Sequence, residues 1–557
     1  MKNTKIFSVL TLLAIAVGVC HEAEAQTMRR VEVTKAYSPE VSAATKLLAP
    51  TVINDTPVIE PDIEYDVKPD TWSTTLSAHD FRPAKATYWD FTSPKHFYLQ
   101  ADAGYPLSSD LLLRYAMHSV RLGYFGVGVT HSGDYAARLS ADGIKRSMAN
   151  SLSMRNGIDV NGGLFVGDRL LEGYATYEHS LFNRYATLAP ASLNFHDANI
   201  SVRFGDNFAN LKRLNFSVEA HGGYWAHRLP VAVADISGYG EASVGASAKM
   251  ARLFNGKNRV ELTAVYDMWL GGDVYRDTRF GVDVEYARKF KYVHVEAGVG
   301  YMYDKVNGRN RASHFITPHA KVLFDLKLNA FTPYVEVDTR VGQNSLSSLY
   351  KRNPYIDFAA MTSKFGTMAN DLSYNMTLGF SGNVHTRFAY RAYIGMSFVR
   401  DELKFYVNQN GTFATTNDSD NRVIYGVELE YLPIGGLRLG GGIFGYIDTD
   451  KPRFVTNAPT YDANVFAEYT LRRWQFGVNA DFIGKRRWSG VANENGVASI
   501  AFMDKGDIDL GVRVNYRVSN MVDIYVEGIN LLNSQIYDYA YYYRSGIGFK
   551  AGVKLEF

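Results

Sequence analysis

The residue pattern points to an all-β chain: a transmembrane antiparallel β-barrel of about 22 strands with an irregular N-terminal arm. Segments of roughly ten residues that alternate apolar and polar side chains recur from His96 to Phe557. Aromatic residues and glycine are abundant, with 38 Tyr, 32 Phe and 48 Gly among 557 residues, as many strands bearing aromatic girdles would require. An export signal opens the chain, and no later run of about 18 apolar residues exists to form a membrane helix.

The export signal occupies residues 1–25. Lys2 and Lys5 form a basic start, Ile6 to Val19 is apolar, and Ala23-Glu24-Ala25 precedes Gln26 as an A-x-A cleavage pattern. Cys20 follows Val19, where a lipoprotein signal needs a small residue, so simple cleavage after Ala25 is expected. Cys20 is the one cysteine, so the mature chain has no disulfide framework and no Cys-ligated metal site. The net charge is +2 with interspersed signs, which excludes a nucleic-acid patch.

Residues 26–94 form the arm. Seven of the 16 prolines lie there (Pro39, Pro50, Pro57, Pro61, Pro69, Pro83 and Pro94), a density that blocks helices and sheet ladders alike. The arm begins with Met28 to Tyr37, in which Val31 and Val33 alternate with polar residues and Thr34 follows. An extended segment of this kind is a candidate coupling strand for a periplasmic partner.

Residues 95–557 form the barrel. In the last segment, Ile547, Phe549, Ala551, Val553, Leu555 and Phe557 share one face, and Gly548, Lys550, Gly552, Lys554 and Glu556 share the other. Successive strand side chains point to opposite faces, so one face is apolar and the other wet. Segments of about ten residues span a bilayer at a tilt near 45°. Upward strands are expected at about 96–105, 122–131, 169–180, 214–225, 258–270, 293–303, 332–341, 387–405, 437–447, 473–484 and 521–530, with downward strands between them and after the last. Connections alternate between short ones, such as Gly167-Asp168 and Arg472-Arg473, and long ones, such as Ser132 to Asn156, Gly342 to Asn370 and Asn408 to Asp420. Hydrocarbon offers no hydrogen-bond partner, so the closing strand with Phe549, Val553, Leu555 and Phe557 must pair with the first strand near His96.

The C-terminal run "DIYVEGINLLNSQIY", a tyrosine-rich loop and "GFKAGVKLEF" ending in Phe557 resemble the closing pattern of TonB-dependent receptors. "HFYLQADAGYP" with "GVGVTHSGD" resembles the first hairpins of short members that lack the plug domain. The resemblance covers residues 95–557, and Val31 to Thr34 resembles a TonB box. It implies an outer-membrane barrel of a Gram-negative cell that transports a solute or polymer. The expected partners are outer-membrane lipid, the barrel-assembly machinery, and a periplasmic plug or energy-coupling protein. A barrel this wide needs its lumen closed, by the arm, by side chains and surface loops, or by a partner. The alternative is a non-transport scaffold that anchors a periplasmic or cell-surface complex.

No enzyme and no cofactor are expected. His131-Ser132 with Asp134 is the nearest approach to a hydrolytic constellation, but adjacent strand residues face opposite ways and cannot easily share a proton. Asp283, Glu285, His294 and Glu296 are expected to face the lumen, where such groups could bind a cation or act as a paired acid and base, but more often form rungs of solvated ion-pair ladders. Tyr541, Tyr542, Tyr543 and Arg544 are candidate surface-loop binding residues, which would serve equally as an outer aromatic girdle.

Overall fold

The computed structural model describes residues 95–557, apart from residues 120, 140–147, 187–190, 234–235, 272–275, 307–311, 327–329, 358–368, 385–386, 410 and 493–497. The export signal and the arm, with Val31, Val33 and Thr34, lie outside the described residues.

The chain runs through β1 (Phe97–Tyr105), β2 (Ser108–Ser119), β3 (Gly123–Asp134), β4 (Ala137–Leu139), β5 (Met148–Asn150), β6 (Ser153–Val166), β7 (Arg169–Arg184) and β8 (Ala191–Gly205). It continues with β9 (Asn215–Val233), β10 (Ile236–Phe254), β11 (Asn258–Leu270), β12 (Arg276–Lys289), β13 (Val293–Val306), β14 (Ser313–Phe324) and β15 (Thr332–Val341). A short helix, α1 (Leu346–Arg352), precedes β16 (Leu372–Val384), β17 (Phe388–Val407), β18 (Phe413–Tyr431), β19 (Leu437–Asp448), β20 (Tyr461–Leu471) and β21 (Trp474–Ile483). The last strands are β22 (Arg486–Ala492), β23 (Ala498–Asp504), β24 (Asp507–Arg517), β25 (Val522–Ile529), β26 (Tyr537–Tyr539), β27 (Tyr542–Tyr543) and β28 (Gly548–Glu556).

Three pairs, β4–β5, β22–β23 and β26–β27, are ribbons carried on connections. The other 22 strands form one closed antiparallel ring. Closure is made by β28, which pairs with β25 on one side and with β1 on the other, from Tyr98 opposite Glu556 to Tyr105 opposite Phe549. The seam is pinned at its end. The Phe97 and Phe557 rings stack at 4.7 Å, and the Phe557 carbonyl accepts from the His96 and Phe97 amides at 2.9 and 2.8 Å. The rim carrying Phe557 is called basal below, and the opposite rim distal.

Alternation decides which side chains face out. Val202, Val218, Val244, Val284, Val299, Leu378 and Val526 are exposed on the outer wall. Exposed aromatics border this aliphatic band, with Phe254, Tyr292, Tyr431 and Trp474 toward the basal rim and Tyr105, Tyr266, Tyr301 and Phe398 toward the distal one. Residues of the opposite parity line the interior and carry most of the cross-strand ion pairs.

The strands fall where the alternation predicts, but the connections sort less cleanly. The distal turn between β1 and β2 is only Pro106-Leu107, and the basal connection 206–214 is long. That basal segment is held by its own side chains: Asn207 and Asn210 accept from the Ala209 and Lys212 amides, and Asp206 caps the Phe216 amide at 3.0 Å. The expected loop from Asn408 to Asp420 is mostly strand. β17 and β18 continue past a bulge at Val399/Glu402, with Asp401 at φ 56°, and turn only at 408–412.

Candidate functional site: a cap across the distal mouth

The segment from Gln343 to Asp357 crosses the distal mouth. It leaves β15, yet it touches β8, β9, β10 and β12 and the connections between β17 and β18 and between β25 and β28. Ser345 caps α1, its hydroxyl accepting from the Ser348 amide at 3.2 Å. Across the ring, Glu241 of β10 accepts from the Leu346 amide at 2.6 Å and from the Ser347 hydroxyl at 2.7 Å. A wall carboxylate thus sits where the unpaired amides of a helix start favour negative charge. Lys351 reaches Asp197 of β8 at 2.5 Å, and the Arg352 carbonyl accepts from the Tyr539 hydroxyl at 2.9 Å. A segment bonded to β8, β10 and the connection between β25 and β28 cannot lie along one edge of a closed ring, so it spans the opening.

The crossing is packed as a hydrophobic core. Leu346, Leu349 and Tyr350 are buried. Tyr350 stacks on Trp225 at 5.1 Å and meets Phe195 at 5.1 Å and His227 at 5.3 Å. Tyr355 lies flat on Tyr542 at 3.7 Å and edge-on to Tyr539 at 5.4 Å. Phe413, from the β17–β18 extension, closes on both Tyr539 and Tyr542. The β22–β23 ribbon adds Trp488 against Phe502, and Phe502 against Tyr537 and Tyr541. Burial pushes the Tyr539 phenol up to about 12, and the Tyr350 and Tyr542 phenols well above their ordinary value.

One buried polar network fixes the start of the crossing to the wall, and a second braces the β17–β18 extension that packs against it. At β12 and β13, Asn370 donates to Asp277 at 2.9 Å and to Asp304 at 3.0 Å, Gln343 donates to Asp277 at 2.7 Å, and Arg279 donates to the Gly342 carbonyl at 2.9 Å. At the β17–β18 extension, the buried Lys404 holds Asp420 at 3.1 Å and donates to the Phe454 carbonyl at 2.8 Å. Arg422 there pairs with Asp420 at 2.9 Å and also with Glu402.

Below the cap the inner wall is polar. Arg259 meets Glu285 at 2.6 Å and Glu296 at 3.4 Å, and His319 lies 3.5 Å from Asp283 and 3.6 Å from Glu285. Lys321 pairs with Glu336 at 3.4 Å. Such partly exposed rungs add little stability each. They present mixed donors and acceptors to whatever occupies the interior, without a field of one sign.

The barrel is one seen before in solved structures. It superposes on the copper transporter OprC with a TM-score of 0.64 at 13 % identity, over 83 % of this chain and 81 % of that one. It superposes on the FrpB iron transporter from Neisseria meningitidis with a TM-score of 0.65 at 12 % identity, over 84 % and 83 %. The siderophore receptor PirA from Acinetobacter baumannii gives 0.65 at 10 % identity, over 84 % and 81 %. At these identities the likeness is one of fold. No family model and no curated protein matches the chain.

Within this shared fold the residues singled out from sequence separate. Phe549, Val553 and Leu555 lie in β28, opposite Tyr105, Ala101 and Leu99 of β1. Tyr542 is in the cap's core, and Tyr541 and Tyr543 are half-buried beside it, so the cluster forms the cap and not an outer girdle. Arg544 is held by Asp538 at 2.9 Å and Asp509 at 3.5 Å. His131 and Ser132 face opposite ways, and Asp134 turns inward to accept from Ser545 at 3.0 Å. Sequence reasoning missed α1 inside Gly342 to Asn370, expected only as a long connection. The signal was present: Ser345 as a cap, followed by Leu346, Leu349 and Tyr350 at helical spacing.

Proposed function

We propose that this chain is an outer-membrane transport barrel whose distal mouth is closed by its own surface loops. It is exported by the signal of residues 1–25, carries residues 26–94 as a periplasmic or lumenal arm, and spans the bilayer with residues 95–557. The carrying observation is the Gln343–Asp357 crossing, a packed strap over a wide ring with a polar inner wall. A ring of 22 strands is wide enough for a large cargo and would leak if left open, so a cap that must move fits a passage better than a static pillar. The apolar outer band with aromatic borders supports membrane insertion, distal rim outward. The related folds are named as transporters and receptors of copper, iron and siderophores, which supports transport in general. Val31, Val33 and Thr34 are then the segment that would engage an energy-coupling partner, and the half-buried faces of Tyr541, Tyr543 and Arg544 the first cap groups a cargo meets.

Single-channel recording tests this. The full-length protein, a form lacking residues 26–94, and that form with the cap weakened are compared in planar bilayers. Conductance that appears when the arm is removed and the cap weakened supports a gated passage. Silence in all three favours a filled scaffold that anchors a surface complex.

A further inference from the structure

Three strands side by side, β2, β3 and β6, bring together a serine, a histidine and an asparagine. Ser109 Oγ lies 2.8 Å from His131 Nε2, and His131 Nδ1 lies 2.7 Å from Asn156 Oδ1. The asparagine oxygen can only accept, so Nδ1 carries the proton and Nε2 is left as the acceptor facing the hydroxyls. That is the tautomer a nucleophilic serine requires, with each group oriented by the next. The Tyr135 hydroxyl completes the group, 3.2 Å from His131 Nε2 and 3.3 Å from Ser109 Oγ. Gly133 makes room for it, since a Cβ at that position would collide with the Tyr135 ring.

The group faces outward. Ser109 shares its parity with the exposed Tyr115 and Met117 on β2, His131 with Phe125 on β3, and Asn156 with Ile158 and Leu164 on β6. The alternate residues turn inward, as Asp110 does toward Lys550. Met117 marks the basal side of this wall, eight positions along β2 from Ser109. At about 3.3 Å per residue and a tilt of about 40°, Ser109 stands roughly 20 Å above it in an apolar band about 25 Å tall. This is the depth at which the acyl esters of outer-leaflet lipids would sit. Polar side chains on a lipid-facing wall are costly and mark functional sites. Leu107 and Leu111 flank Ser109 and Met154 and Ile158 flank Asn156 on this wall, while His179 of β7 stands opposite Asn156 at the same height.

We propose that Ser109, His131 and Asn156 form a hydrolytic site for the acyl esters of membrane lipids, with Ser109 as nucleophile, His131 as general base and Asn156 as its positioning residue. Ser109 Oγ adds to the ester carbonyl while its proton passes to His131 Nε2. The Tyr135 hydroxyl is placed to donate to the oxyanion. The ester C–O bond then breaks, and His131 returns the proton to the departing alcohol. Water from the outer interface adds to the acyl-serine by the same route, the Ser109 Oγ–acyl bond breaks, and Oγ regains its proton. The net change is ester and water to carboxylic acid and alcohol, with no oxidant or metal.

The test uses the full-length protein in detergent–phospholipid mixed micelles, with folding checked by heat-modifiable gel mobility. A fluorophosphonate probe should modify Ser109, located by peptide mass spectrometry, and fatty acid should be released from phosphatidylethanolamine or phosphatidylcholine. Ser109→Ala and His131→Ala should each lower release by on the order of 10³-fold, while Ser132→Ala leaves it unchanged. Asn156→Ala should cost kcat with little change in KM. Asn156→Asp should restore turnover with the acid limb of the kcat/KM profile moved to higher pH, a shift that a merely structural asparagine would not produce. Folded wild-type protein that neither reacts with the probe nor releases fatty acid would overturn the proposal. Labelling at Ser109 with no release from either lipid would overturn its lipid-ester assignment.

Discussion

The rings of Tyr355 and Tyr542 stack face to face, 3.7 Å apart and within 15° of parallel, joining a segment that leaves β15 to the connection between β25 and β28. Tyr542 is 3 % exposed and is also touched by Tyr185 and Phe413, so it is where four connections meet. Truncating a buried aromatic costs about 3–5 kcal/mol. Tyr542→Ala should therefore loosen the cap while leaving the ring intact. The expected result, in the form lacking residues 26–94, is a clear rise in open-channel events with unchanged heat-modifiable mobility. Unchanged recordings would mean that the cap is not the barrier.

The attachment of α1 to the wall makes a milder prediction. Glu241 accepts from two amides and one hydroxyl at the start of the helix. Glu241→Gln keeps the shape and removes the charge, at a cost of about 1–2 kcal/mol. Hydrogen exchange of residues 346–352 should accelerate by roughly 5- to 30-fold, as that free energy implies, with β12–β14 unaffected. Equal acceleration across the wall would refute a local role.

Much of this architecture was legible in the residues. The β28 alternation, Phe549 to Phe557 against Gly548 to Glu556, has a period of two that survives any context because one face is apolar. The cap was not legible, because Tyr350 meets Trp225 and Tyr355 meets Tyr542 across sequence distances that no local pattern encodes. The same holds for Ser109 and His131. Local geometry correctly separates His131 from Ser132, but only the strand register, Leu111 opposite His131 and His131 opposite Asn156, brings Ser109 and Asn156 alongside.

The projecting β17–β18 hairpin depends on one buried cation. Lys404 is 1 % exposed and Asp420 fully buried at 3.1 Å, with Arg422 on the other side. Removing one partner of a buried pair costs about 3–5 kcal/mol, because the other charge is left without compensation. Lys404→Met should make the hairpin beyond the Val399/Glu402 bulge sensitive to protease at 408–412. Conversion of Asp420 to Asn in the same chain should recover much of the loss. Continued resistance of the single variant would show that Arg422 alone neutralises Asp420.

Alkaline pH should open the cap. Burial raises the Tyr539 phenol to about 12 and the Tyr542 phenol well above its ordinary value, whereas an unfolded or solvated tyrosine ionises near 10. The closed cap binds the proton more tightly than the open one, so closure loses stability as pH rises. The contribution is fully present below about pH 10 and is lost as the pH climbs through about 12. Below pH 10 these two groups give no pH dependence, and acid should not open the cap through them. Tyrosinate absorbance near 295 nm, recorded as wild type minus Tyr539→Phe, should lag behind free tyrosine and then rise steeply as the cap gives way. Channel activity of the form lacking residues 26–94 should rise over the same range. A difference spectrum that follows free tyrosine would place Tyr539 in water, and the cap would then not be the packed closure described above.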